Sequence, residues 1–285
     1  MTIWVDLVGS QLNDSVIKGF RAIGYPVKKK NTFTLHTETG DTYCSWTLWD
    51  KGRRRKVADQ AWQDTATPTL CFERGWLRKH DGFQIAWRVG NTTGFNGCGR
   101  FPIGNKERWD SWGIEIKPWR TTGDHILICG NKGDSYKGKL TYLINHDHNW
   151  PDHIIGEIRK RTDRPIWYRP HPKGGQECIP TRNLPDRLID PMAESLDESL
   201  SGAWCCVVHA SSSASEAIVA GIPVIYTAQG IMLADCAGDS LDMIGKPPMP
   251  EREKHLYNCT GAQWSLDEIA TGYPFQRLMH MRPTP

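Results

Sequence analysis

Apolar and polar positions alternate along this chain in two rhythms, and each rhythm predicts a set of elements. Ile3–Val8 reads as a first strand, and Ser15–Ile23 carries its apolar residues at helical spacing. Thr42–Trp49 is dense in β-branched and aromatic residues, the profile of a strand. Arg55–Gln63 has a helical pattern. Thr67–Phe72 is a short apolar run that stops at Glu73-Arg74-Gly75, as a buried strand delivering a loop does, and Gly82–Trp87 predicts a further strand. Residues 89–112, with Gly at 90, 94, 97, 99 and 104, predict an irregular functional loop.

The second half is more regular. Strands are predicted at Ile126–Cys129, Pro165–Tyr168, Trp204–Val208 and Ile222–Tyr226. Helices are predicted at Trp150–Arg161, within Leu184–Leu200, and at Ser213–Ala220. Strand and helix in strict alternation mean βαβ units and a parallel sheet. Ser265–Ala270 opens a late helix with a capping box of Ser265 and Glu268. The expected architecture is α/β, two Rossmann-like lobes with mainly parallel sheets. Its expected boundaries give a lobe at 1–120, a second lobe at 121–262 and a helical segment at 263–285, with the break between lobes in Lys117–Asp124.

Composition narrows the class. The 285 residues suit two lobes, and no stretch approaches the roughly 20 apolar residues that span a bilayer. The opening MTIWVDLVGS lacks the basic and long apolar regions of a signal peptide. The nine cysteines are odd in number and form no C-x-x-C pair, which argues against a zinc ribbon and for buried thiols in a reducing, cytoplasmic setting. Net charge is +3, but residues 1–120 hold 19 Lys/Arg against 12 Asp/Glu. That excess, carried by Lys28–Lys30, Arg53–Lys56 and Arg78-Lys79, suggests an anionic partner for the first lobe. Taken singly, each run reads more readily as solvated loop and helix ends.

Three segments lie where an open parallel sheet binds ligands, at the carboxyl ends of its strands. Gly130-Asn131-Lys132-Gly133 permits close backbone approach to a ligand, although its spacing is not that of a P-loop. Arg169-Pro170-His171-Pro172 holds an arginine and a histidine on a backbone stiffened by two prolines. His209-Ala210-Ser211-Ser212-Ser213 then leads a strand into a helix, with Ser213 the expected N-cap and Glu216 its capping-box partner. A helix start with free N–H groups, flanked by hydroxyls, Arg169 and His171, suits a phosphate. His146-Asp147-His148 contains possible metal ligands, but adjacent loop residues rarely share one ion, and no metal is expected.

Taken in order, Ile-Leu-Ile-Cys-Gly, Tyr-Arg-Pro-His-Pro and His-Ala-Ser-Ser-Ser-Ala-Ser-Glu-Ala-Ile-Val-Ala-Gly-Ile-Pro-Val-Ile resemble the donor domain of GT-B glycosyltransferases. The likeness covers about residues 125–230. It is nearest to the capsule-polysaccharide-type transferases and to bacterial sialyltransferases, with their paired His-Pro and Ser-Ser/Thr motifs. The resemblance implies a nucleotide-sugar donor held by His171, Ser211 and Ser212, with Glu216 at the ribose. It implies no metal or other cofactor. It also implies an acceptor and a general base on the first lobe, where Glu73 is the first candidate and Asp81 the second. The acceptor is expected to be either a hydroxymethylated pyrimidine in DNA, on the strength of the basic lobe, or a capsule-type glycan. Arg53, Arg54 and Arg55 would meet a polyanion, and Trp109 and Trp112, among thirteen tryptophans, would form exposed stacking platforms. A sugar-nucleotide epimerase, or a silent nucleotide-sugar or nucleic-acid binding module, shares these features.

Overall fold

The computed structural model describes residues 1–7, 9–29, 41–46, 68–88, 100–131, 150–174, 178–209, 211–228 and 233–281. They form two compact units, one of residues 1–114 with 254–285 and one of residues 115–253.

The first unit opens with β1 (Ile3–Asp6), α1 (Ser10–Ala22) and β2 (Val27–Lys29), followed by β3 (Thr42–Trp46), β4 (Thr69–Arg74) and β5 (Phe83–Arg88). β2, β1, β3 and β4 lie side by side and parallel, and β5 turns back antiparallel on β4. Helix α1 forms because Leu12, Val16, Ile17 and Phe20 recur on one face, and that face is buried. A short helix α2 (Lys106–Ser111) follows, with the Asn105 side chain accepting from the Arg108 N–H at 2.9 Å. Residues 106–111 are thus helical, where an irregular loop was expected. The capping asparagine and the buried Trp109 override the glycine-rich context.

In the second unit come β6 (His125–Cys129), α3 (Trp150–Arg159), β7 (Ile166–Arg169), β8 (Arg187–Leu188) and α4 (Leu196–Leu200). β9 (Ala203–Val208), α5 (Ser213–Val219) and β10 (Val224–Tyr226) complete it. The sheet is parallel throughout, in the order β10-β9-β6-β7-β8. Every residue of β6 is buried, as a central strand covered on both faces requires. On one face Ile126 and Ile128 pack with Ile154, Ile155 and Ile158 of α3 and with Tyr168, Cys205 and Val207. The helix expected within Leu184–Leu200 is present as its last five residues. Before it, pairing with β7 makes Arg187–Leu188 a short strand, and residues 191–194 form a turn in which the Ala193 and Glu194 N–H groups donate to the Asp190 carbonyl.

The chain then re-enters the first unit through α6 (Glu253–Cys259), β11 (Gln263–Trp264), α7 (Leu266–Thr271) and α8 (Tyr273–Met279). β11 adds to β5 at the sheet edge. Ser265 and Glu268 make the capping box reciprocally. Phe275 stacks on Phe20 with centroids 3.9 Å apart, and Ile269 and Leu278 join the same core. Apolar burial against α1 therefore makes the last helices part of the first unit, where a separate 263–285 segment was expected. No described helix is long and apolar enough to cross a membrane. The eight described cysteines are all buried and free.

Candidate functional site

The order β10-β9-β6-β7-β8 places a topological switch between β6 and β9. From β6 the chain moves to β7 on one side, and from β9 it moves to β10 on the other. Connections leaving neighbouring strands in opposite directions open a crevice at their carboxyl ends, where open α/β sheets bind ligands. Gly130 and Asn131 follow β6 there, and His209 to Ser213 follow β9.

Glycine is required at 130, because a Cβ would collide with the Tyr168 hydroxyl, which donates to the Cys178 carbonyl at 2.6 Å. The Gly130 N–H donates to the Arg169 carbonyl at 2.8 Å, so the ends of β6 and β7 are joined directly. Beneath the crevice the Cys206 thiol donates to Cys129 sulfur at 3.8 Å. That bond holds the Cys129 thiol below its ordinary value; burial opposes the shift, while Ser213 and the Arg169 charge add to it. Asn131 is buried.

His209 is fully buried. Its Nδ1 lies 3.0 Å from the Thr227 hydroxyl, which accepts the Trp150 indole N–H at 3.1 Å. Burial pushes its imidazole down to about 4, so the ring is neutral at pH 7. Neither Thr227 nor Trp150 stood out in the sequence. The signal was there, since Thr227 follows β10 directly as His209 follows β9.

The serine turn differs in detail from expectation. Ser212, not Ser213, occupies the N-cap position, with no side-chain cap, and Ser213 is the first helical residue. The reason lies in the backbone: Ser212 is already near-helical at φ −63°, ψ −14°, and Ala214 N–H and Ser215 N–H bond three residues back, to Ser211 and Ser212. Ser211 Oγ accepts from Ser213 Oγ at 2.8 Å and from the Ser213 N–H at 3.3 Å. Glu216, half-buried, sits one turn into α5 and makes no capping box.

At the end of β7 the two expected phosphate ligands divide. Arg169 spends its guanidinium on the segment before and within α4, with Nη1 donating to the Glu194 carbonyl at 2.7 Å and to Ser199 Oγ at 3.1 Å. It braces the fold. His171 is half-buried, and its Nδ1 accepts the Lys173 N–H at 3.0 Å. That bond leaves the neutral ring's proton on Nε2, a donor. Asp152 anchors the segment that follows: Oδ1 accepts from the N–H groups of Thr181, Arg182 and Asn183 at 2.7–2.9 Å. Burial alone would raise this carboxyl, and the backbone bonds outweigh it and hold it below the usual range.

In the first unit Glu73 is half-buried, next to last in the parallel strand β4, and its Oε1 accepts from the Arg74 N–H at 2.9 Å. Asp81 is exposed, in left-handed backbone at φ 38°, on the turn that links β4 to β5. The structure therefore brings both candidates to the carboxyl end of β4. Trp109 is no exposed platform: it is buried and its indole N–H donates to the Ile114 carbonyl at 2.9 Å. Trp112 is half-buried, with His80 stacked on it at 4.1 Å. Of the basic runs, Lys28, Lys29, Arg78 and Lys79 are exposed. Arg53, Arg54, Arg55, Lys132, His146, Asp147 and His148 lie outside the described residues. Among the described residues no three His, Cys, Asp or Glu side chains group as metal ligands would.

No protein-family model matches the chain. No curated protein matches it significantly either. Solved structures do. The chain is similar to the β-Kdo 2,7 transferase KpsC of Thermosulfurimonas dismutans, with a TM-score of 0.52, 14% identity, and coverage of 97% of this chain and 99% of that one. It is also similar to the β-Kdo 2,4 transferase KpsC of the same organism, with a TM-score of 0.51, 12% identity, and coverage of 95% and 97%. At such identities the likeness is one of fold. The fold is α/β, two Rossmann-like lobes with mainly parallel sheets.

Proposed function

We propose that this chain is a GT-B-type glycosyltransferase that moves a sugar from a nucleotide-sugar donor to a hydroxyl acceptor. The observation that carries the reading is the β6/β9 switch point in the second unit, flanked by the Ser211–Ser213 turn and by His171 just after the neighbouring strand β7. In this reading the donor phosphate meets the hydroxyls and N–H groups of the serine turn and the Nε2–H of His171, with Glu216 at the ribose. Glu73 takes the proton of the acceptor hydroxyl, with Asp81 the second candidate. The acceptor oxygen bonds to the anomeric carbon as the bond from that carbon to the phosphate oxygen breaks, and the nucleotide leaves with the bonding pair. The neutral His209–Thr227–Trp150 group, with His209 and Trp150 buried, shapes the crevice without adding charge. Catalysis in this reading uses no metal.

A glycan acceptor is the first choice, since both similar structures are named as Kdo transferases. The basic excess of residues 1–120 favours a second choice, a hydroxymethylated pyrimidine in DNA. Incubation with labelled UDP-glucose, GDP-mannose and CMP-Kdo tests the reading. Release of nucleotide, or label on an acceptor, is the expected result. Nucleotide binding with no turnover of any donor would instead indicate a silent binding module.

A further inference from the structure

We infer that Gln263 is a positioning residue for the turn that follows Glu73 and carries Asp81, an inference that rests on reading Glu73 as the base. Gln263 comes from the far end of the chain, in β11, and is fully buried. Its side-chain amide pairs with the backbone of Leu77 as a strand would. The Leu77 N–H donates to Oε1 at 3.2 Å, and Nε2 donates to the Leu77 carbonyl at 2.8 Å. The turn is shaped around this amide. A Cβ on Gly75 would lie 2.6 Å from Gln263 Cδ, and one on Gly82 would lie 3.1 Å from Gln263 Cγ and 2.8 Å from the Trp264 carbonyl. The Gly75 N–H closes the turn on the Gly82 carbonyl at 2.7 Å. Gly75 is two residues after Glu73, and Gly82 directly follows Asp81.

The clamp is itself held. Arg108 of α2 donates to the Gln263 carbonyl at 2.9 Å and to the Thr260 carbonyl at 2.8 Å, and forms a bidentate pair with Glu268 at 2.6 and 3.1 Å. Both amide bonds of Gln263 are buried; loss of Oε1 leaves the Leu77 N–H without its acceptor, and loss of Nε2 leaves the Leu77 carbonyl only the His80 N–H at 3.2 Å, so the turn can shift. Gln263 need not touch substrate. It sets where Glu73 and Asp81 stand.

The test uses the full chain in three variants. Hydrogen exchange of peptides spanning 75–82 is expected to quicken at least tenfold in Gln263→Met, with second-unit peptides unchanged. Turnover of CMP-Kdo or UDP-glucose, whichever the parent uses, should fall about 10–100-fold per calorimetrically counted donor site, with donor KM unchanged. The Gln263→Glu variant supplies a rescue, because a neutral carboxyl keeps one donor and one acceptor. Its turnover relative to the parent should recover as pH falls from 9 to 6, while that of Gln263→Met should not. Unchanged exchange at 75–82, or turnover and donor KM altered together without carboxyl rescue, would overturn the inference. A fully active Glu73→Gln would overturn the base assignment instead, and exchange at 75–82 would still report on the clamp.

Discussion

His209 Nδ1 and the Thr227 hydroxyl meet at 3.0 Å across the ends of two adjacent parallel strands, with the Trp150 indole closing on the same hydroxyl. A neutral imidazole in this setting ties stability to pH. Its folded value, about 4, lies below the ordinary 6.5, so protons bind the unfolded chain first. The contribution is complete above pH 6.5 and is lost as pH falls toward 4, by roughly 3 kcal/mol. Asp152, also held below its ordinary value, adds loss in the same direction at lower pH. Denaturant melts from pH 7.5 to 4.5 should show this decline, and a His209→Gln variant that melts with the same pH slope would refute it.

Arg169 should behave as a brace. Arg169→Met leaves the Glu194 carbonyl and Ser199 without its donors, so about 1–3 kcal/mol of stability should go, with donor affinity changed little. Thermal melts together with calorimetry decide the matter. A stable variant with weakened donor binding would restore Arg169 to the phosphate.

Glu73→Gln should lower turnover by roughly two to four decades while leaving donor affinity intact, the range for a positioned general base. Asp81→Asn should cost less than tenfold. Single-turnover kinetics of both variants measure it, and the reverse ranking would move the base to Asp81.

What the sequence made legible follows from where physics is local. The strand-helix alternation of the second unit and the Ser265–Glu268 capping box rest on near neighbours, and both are visible as patterns. The N-cap at 212 instead of 213 depends on the backbone angle of one serine, which no residue type dictates. Trp109 reads as exposed beside glycines, and only the Asn105-capped helix turns it inward. The partners of Arg169 and Gln263 are 22–30 and 186 residues away, so neither role has a local signature.

Acceptor class should appear in salt dependence. Binding to duplex DNA would weaken steeply with salt, with a log–log slope of about −0.9 per phosphate contacted. Replacing Arg53, Arg54 and Arg55 with Ala would flatten it. A glycan acceptor, the first choice here, predicts no retarded complex in a mobility-shift titration at low salt. A salt-sensitive complex would favour DNA.

The central claim is that the β6/β9 switch point of the second unit holds a nucleotide sugar. Calorimetric titration of the full chain with CMP, UDP and GDP and their sugar conjugates, in chelator, tests it most directly. One nucleotide should bind the parent at a single site. His171→Ala and the double change Ser211→Ala, Ser212→Ala should each weaken it by about 1–3 kcal/mol with the melting temperature retained. Equal affinity in the parent and both variants, or binding that appears only when a divalent ion is restored, would contradict the account.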